Sequence, residues 1–403
     1  MASRVNIISA SSLARRIKRR LQTHLRLLGF SKDGQGKLIP FNTSKETYRW
    51  THRSQRSEKL EKTSDFIKRV LPDLQHYFAS GIEIQPELIK PVIQEVEKET
   101  WESDLFRLAS LTWSVPVSAG YGRRMRFLVW DETTWKLIGI FALGDPVFNM
   151  SQRDRIIGWD GKMRISRLVN MMDAYVLGAL PPYNQLLCGK LIACLIRTKE
   201  VKDAFSRKYA TTTGIISGKR KNARLACVTT TSSLGRSSIY NRLRLNGTTY
   251  FESLGFTSGW GHFQIPDDLF EDMRLYLKKR KNAYSNGHKF GNGPNWRLRA
   301  VRKTLDDIGI NSDLLCHNLK REIFICRLAS NADRFLRGDS TRAFFPDLPS
   351  VEEVGAAARE RWIIPRAERM PDFRAWSLTN TLALLHSPII IEDSHKNGIK
   401  TAA

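Results

Sequence analysis

The segment Val228 to Leu243, VTTTSSLGRSSIYNRL, holds the densest chemistry in the chain. A strand-like run, Leu225–Val228, leads into five consecutive hydroxyl residues, Thr229 to Ser233. Gly235, Arg236, Ser237, Ser238 and a short helix-like segment come next. A strand-to-helix turn of this kind holds anions. Bare N–H groups and the helix dipole favour a negative oxygen, and Ser, Thr and Arg add donors. Thr231, Ser232, Ser233, Gly235, Arg236, Ser237 and Ser238 are therefore candidate anion-binding residues. Lys190, beside Gly189 at an expected helix start, is a candidate for the same anion. The competing reading has the hydroxyls capping the helix at Ile239 and satisfying backbone groups. Capping accounts for one or two of these side chains, not for all of them and an arginine.

A second constellation runs from Phe270 to Lys303, with ten basic residues against two acidic. Lys278, Lys279, Arg280 and Lys281 form its densest cluster, and Tyr284, Phe290 and Trp296 are interleaved. This mixture suits a surface that tracks phosphates and offers stacking positions; the alternative is a solvated helix end and loop. Arg123 and Arg124 add charge at a strand's start. Trp101, Trp113, Trp130 and Trp135 read as core. Gly189-Lys190 lacks the full phosphate-loop spacing, which excludes nucleotide hydrolysis there. Asp160-Gly-Lys162 matches the acidic-x-Lys pattern of some nucleases but sits in a Gly-containing turn after Trp159.

The bulk properties agree with an anionic partner. The 403 residues carry 65 basic and 40 acidic side chains, a net +25, with 41% hydrophobic and 10% aromatic content. That is a folded composition with a surface that attracts polyanions, nucleic acid first among them. Five cysteines without a C-x-x-C pair, and eight scattered histidines, point to no disulfides and no metal site, as in a reducing cytoplasm. No apolar run is long enough for a membrane span. The stripe Leu13, Ile17, Leu21, Leu25 and Leu28 predicts a helix behind Ser11-Ser12. Its apolar face packs on its own domain and its outer face is basic.

These features need elements to position them. Residues 1–100 read as a basic helical region, including Leu60 to Glu99 with breaks near Pro72 and Gly81. The amphipathic stretch Glu87–Val96 falls within it. Residues 101–281 read as an α/β core. A hairpin is expected from Arg124–Trp130 and Lys136–Leu143, then a strand, Ala174–Leu180, ending at Pro181-Pro182. Next come a helix from Asn184 to Ile196, a second from Glu200 to Tyr209, the strand before the hydroxyl turn and an Asn246-Gly247 turn. Gly261–Ile265 reads as a strand and Asp267 as the cap of the next helix. Residues 282–295, NAYSNGHKFGNGPN, read as a loop or linker. Residues 296–403 read as helical, from Trp296 to Gly338 and Ser350 to Arg361, with a frayed tail from about Ser387.

The segments LTWSVPVSAGYGRRMRFLVWD, VLGALPPYNQLLCGKLIACL, VTTTSSLGRSSIYNRL, LGFTSGWGHFQIP and GPNWRLRAVR, in that order, resemble the DruA family of the Druantia anti-phage defence system. They cover most of residues 100 to 305. The resemblance implies a component of a multi-protein bacterial defence system that includes a helicase-like protein. It supplies no catalytic residues. The hairpin, strand, helix, strand and YFESLGF together also resemble the fold of the GNAT acyltransferases. In that family a Q/R-x-x-G-x-G/A helix start holds the pyrophosphate of acyl-coenzyme A. Here that stretch is Gln185-Leu-Leu-Cys188-Gly189-Lys190. Gln185 and Gly189 are the candidate cofactor-binding residues, and Cys188 and Lys190 stand where small residues are expected. Tyr250, with Tyr240 as a second candidate, would be the general acid of such a transferase.

The sequence thus predicts an α/β (α+β) fold with a GNAT-like mixed sheet flanked by helical segments. The expected function is a nucleic-acid-binding component of an anti-phage complex, with DNA as the expected nucleic acid. The expected partners are other proteins of the system, with no cofactor, no metal and no membrane. The alternatives are an acyl-coenzyme-A-dependent transferase and a structural adaptor.

Overall fold

The computed structural model describes residues 9–118, 122–213, 218, 220–287 and 294–386. Within them the chain forms a mixed α/β fold in two compact units. The smaller comprises residues 1–56, 233–235 and 257–321, and the larger the remainder.

The larger unit is built on a seven-stranded sheet: β1 (Pro91–Glu95), β2 (Arg124–Asp131), β3 (Lys136–Gly144), β4 (Met171–Ala179), β5 (Cys227–Thr231), β6 (Glu252–Phe256) and β7 (Glu322–Arg327). Its order is β1-β2-β3-β4-β5-β7-β6. Every pair is antiparallel except β4 and β5, which run parallel over Met171–Asp173 and Cys227–Thr229. Beyond that point β4 continues beside β3, and β5 beside β7. The sheet is covered on both faces. Phe127, Phe141, Met172 and Phe324 pack with Leu191 and Ile192 of the helix Cys188–Leu195. On the opposite face Leu128, Ile140, Ala142 and Val176 meet Phe66 and Val70 of the helix Ser64–Leu74 and Leu105 and Leu108 of Trp101–Leu111.

The hairpin, the strand before Pro181-Pro182, the helix Lys199–Tyr209 and the Asn246-Gly247 turn are present as expected. Two strands of the sheet stand where helix was expected, and Phe30–Lys32 and Leu38–Pro40 form a further antiparallel pair within the region read as helical. Pro91–Glu95 is the edge strand β1, with Val92 and Ile93 facing opposite cores. Glu322–Arg327, inside the run expected to be helical from Trp296 to Gly338, is β7 between β5 and β6. Its Ile323 and Ile325 face one core and Phe324 and Cys326 another. A short apolar strand buried on both faces lacks the polar alternation that would separate it from helix. Conversely, Gly261–Ile265 forms turns rather than a strand. The tail from Ser387, and residues 288–293 of the linker, lie outside the described residues.

The smaller unit is a helical packing around the expected N-terminal stripe. The helix Ala10–Leu27 is capped by Ser9, whose hydroxyl accepts the N–H of Ser12, and Leu13, Ile17, Leu21, Leu25 and Leu28 are all buried. They pack with Leu269, Phe270, Met273 and Leu277 of the helix Asp267–Lys279 and with Val301 and Leu305 of Pro294–Asp307. Arg16 pairs with Asp272, and Arg20 with Asp268 and Asp272. Rising numbers on one helix meet falling numbers on the other, so the two run antiparallel. The start of the first therefore lies beside the basic end of the second.

Candidate nucleic-acid interface

The hydroxyl-rich segment divides into three parts. Thr229 to Thr231 belong to β5. Thr229 Oγ1 donates to Asp173 Oδ1 (2.7 Å) and Thr230 Oγ1 to the Ala174 carbonyl (2.9 Å). Burial raises the Asp173 carboxyl to about 6, with the Thr229 hydrogen bond opposing. These threonines join the parallel strands and are not turn donors.

The turn proper starts at Ser232. Ser232 N–H donates to the Glu322 carbonyl (2.8 Å), and Ser237 N–H donates to Glu322 Oε2 (3.2 Å). Asn241 Nδ2 gives that carboxylate a second hydrogen bond (2.9 Å) and Ser253 Oγ a third (2.9 Å). Glu322 is only 4% exposed. The inner face of the turn therefore already holds an anion, and it is the protein's own. Ser237 Oγ accepts the N–H groups of Ile239 (3.2 Å) and Tyr240 (3.0 Å). From there the backbone runs through a series of turns to Arg242 instead of the expected short helix, so no helix dipole acts here. Gly235 has φ +75°, and a Cβ there would lie 2.9 Å from the Tyr48 ring, so both conformation and space require glycine. Ser233, Arg236 and Ser238 are exposed, and Arg236 has no ion pair among the described residues.

The Gln185 region is packed. Instead of a helix from Asn184, a 3₁₀ turn, Tyr183–Leu186, ends at Leu187 (φ +62°), and the helix proper begins at Cys188. The Gln185 carbonyl accepts from Arg366 Nε (3.1 Å), and Lys190 Nζ lies 5.4 Å from the centre of the Trp362 ring. Burial, and then the charge of Arg361, lowers the Lys190 ammonium below its ordinary value. A Cβ on Gly189 would meet Ile239 at 3.3 Å, so this helix start does adjoin the end of the hydroxyl segment. Trp362, Arg366 and Ile239 are thus the immediate neighbours of Lys190, Gln185 and Gly189. Tyr240 packs on Phe251 and Phe324, and Tyr250 lines a cleft of about 300 Å³ with Arg197, Lys199, Asp347 and Glu353. Burial pushes both phenols above their ordinary value.

Charge is distributed unevenly. The smaller unit has 25 basic and 9 acidic residues, so it carries +16 of the chain's +25. Lys278, Lys279, Arg280 and Lys281 are exposed at the end of the helix Asp267–Lys279, with no ion pair among the described residues. Arg15, Lys18 and Arg19 on the antiparallel neighbour, and Arg299 and Arg302 on Pro294–Asp307, are exposed as well. Sequence reading found the cluster but not this concentration, because the unit is assembled from distant segments. It also missed Glu322, which lies 85 residues from Ser237.

The sequence profile of the family described as Druantia protein DruA matches residues 42–338. The chain belongs to the DruA family. The Druantia protein DruA of Escherichia coli (strain UMEA 4076-1) is 49% identical over 370 residues, 92% of each chain. Membership makes this DruA-family chain a component of the Druantia anti-phage defence system. No solved structure matches it. No helix among the described residues is long and apolar enough to cross a membrane, and no cluster among them is suited to a metal ion.

Proposed function

We propose that this DruA-family protein binds the phosphate backbone of nucleic acid, DNA in the first place, through its smaller unit. It would do so alongside other proteins of the Druantia system, a helicase-like protein among them. The observation that carries the reading is the +16 charge of the smaller unit together with the exposed, unpaired Lys278–Lys281 cluster. Exposed cations without carboxylate partners keep their full attraction for phosphate, and such contacts position a nucleic acid without reading its sequence. Arg236, exposed and unpaired in the larger unit, is the part of the hydroxyl segment suited to a separate phosphate contact of its own. Thr231 belongs to β5, Ser232, Gly235 and Ser237 serve the turn itself, and Lys190 lies against Trp362.

The test is a binding titration at several salt concentrations with the full chain and with Lys278, Lys279, Arg280 and Lys281 all changed to Gln. Each phosphate contact contributes about 0.9 to the logarithmic salt slope on duplex DNA, so losing four contacts lowers the slope by roughly 3–4. An unchanged affinity and slope would refute the assigned surface and favour an adaptor whose basic face meets an acidic protein.

A further inference from the structure

The smaller unit holds a cluster of two buried histidines and the half-buried Arg321 that the Lys278–Lys281 surface does not explain. His52, His317 and Arg321 surround the ring of Phe263. The two imidazole centres lie 4.5 and 4.8 Å from its centre, and the guanidinium carbon lies 5.8 Å away. His52 and His317 are 3% and 5% exposed. Arg321 Nη2 donates to His52 Nε2 (2.7 Å), which fixes the His52 proton on Nδ1, where Gln55 Oε1 accepts it (3.0 Å). His317 Nδ1 accepts the N–H of Leu319 (3.1 Å), so its own proton is on Nε2. That N–H, and the Nε and Nη1 groups of Arg321, have no acceptor among the described residues.

Among the described residues no carboxylate pairs with these three groups. The groups acting on these three residues are each other, Gln55 and the neutral phenol of Tyr48, whose proton goes to the Lys320 carbonyl. A half-buried guanidinium without an anion is incompletely solvated, and an oxyanion that receives its planar donors relieves this. The backbone holds the cation in place. Arg321 N–H donates to Thr257 Oγ1 (3.0 Å), Thr257 N–H donates to the Arg321 carbonyl (2.9 Å), and Asn318 N–H donates to the Gly259 carbonyl (3.0 Å). Part of the LGFTSGWGHFQIP segment thereby gains a reason. At Gly259 a Cβ would lie 2.9 Å from Asn318, and at Gly261 it would lie 3.6 Å from His317 Nε2. A side chain at 261 would therefore stand against that N–H.

We propose that Arg321 and His317, with His52 orienting the guanidinium, form an oxyanion site for a phosphate monoester. With Arg321 half-buried and His317 buried, a monoester, whose phosphate is flanked by a sugar on one side only, reaches these groups more readily than a phosphodiester flanked on both. Its source is either the terminal phosphate of a nucleic-acid strand or a free phosphate. The site does not depend on the backbone contacts proposed above.

The experiment titrates the full chain with inorganic phosphate, and with one short oligonucleotide bearing either a phosphate or a hydroxyl at its end. A phosphorylated end that binds about tenfold tighter or more supports the site and assigns it to strand ends. Saturable binding of inorganic phosphate without an end preference supports it and assigns it to free phosphate. Either signal should vanish in Arg321→Gln and in Gly261→Val, which leaves the cation in place and sets a side chain against the His317 N–H. Absence of both signals, or their survival in both variants, overturns the proposal. If no oligonucleotide binds at all, the backbone-binding reading fails and the phosphate titration still decides this one.

Discussion

Acidification should destabilise the protein through His52 and His317. Burial, and then the charge of Arg321, pushes both imidazoles from 6.5 down to about 3. A histidine with a depressed folded pKa binds fewer protons in the folded chain than in the unfolded one between these two values. Stability therefore falls as the pH drops through 6.5 toward 3. At pH 5 the unfolded imidazole is almost fully charged and the folded one neutral, so each histidine removes about 2 kcal/mol and the pair about 4 kcal/mol relative to pH 8. His262, lowered to about 4 by burial, acts in the same direction. Asp173, raised to about 6, acts in the opposite one and offsets about 1 kcal/mol at pH 5. Urea denaturation of the full chain at pH 8, 6.5 and 5, monitored by fluorescence, measures the loss. His52→Gln with His317→Gln, which cannot take up the protons, should flatten most of the dependence. Equal stability at pH 8 and pH 5, or an unchanged slope in the double variant, would refute the reasoning.

Three further outcomes are expected. Gly235→Ala should lose about 1–3 kcal/mol in thermal or urea melts, because φ is +75° and the Tyr48 ring stands at 2.9 Å. Arg236→Ala should leave the melting temperature nearly unchanged while weakening nucleic-acid binding, since the side chain is exposed and unpaired. Unchanged affinity in a binding titration would remove Arg236 from the interface. Acetyl-coenzyme A should give no binding heat in calorimetry, because Cys188 and Lys190 replace small residues at the helix start and Arg366 and Ile239 lie against Gln185 and Gly189. A micromolar Kd would reverse that conclusion.

Local pattern made the frame of the fold legible. The Leu13–Leu28 stripe, the hairpin and the strand before Pro181-Pro182 each announce themselves within a dozen or so residues, and each is present. Misreadings arose where long-range contacts decide. Glu322–Arg327 became a strand because β5 and β6 flank it, and nothing in that hexapeptide alone encodes either neighbour. The hydroxyl segment shows the same limit at the level of chemistry. Its composition reads as a site for an external anion, whereas the turn's inner face meets the carboxylate of Glu322, which arrives from a distant part of the chain. The Arg321 cluster was invisible for a related reason. Its histidines are separated by most of the chain, and their scattered spacing reads only as the absence of a metal motif.

The assembly of the smaller unit from distant segments also has a consequence for synthesis. The helix Ala10–Leu27 leaves the ribosome early, whereas the helices that cover its stripe, Asp267–Lys279 and Pro294–Asp307, emerge about 250 residues later. At roughly 5–20 residues per second the interval is on the order of 12–50 s. Throughout that time Leu13, Ile17, Leu21 and Leu25 stand uncovered beside a row of arginines, an amphipathic segment open to ribosomal RNA and to chaperones. Production of this chain in the cell should therefore depend on chaperone supply more strongly than its finished stability would indicate.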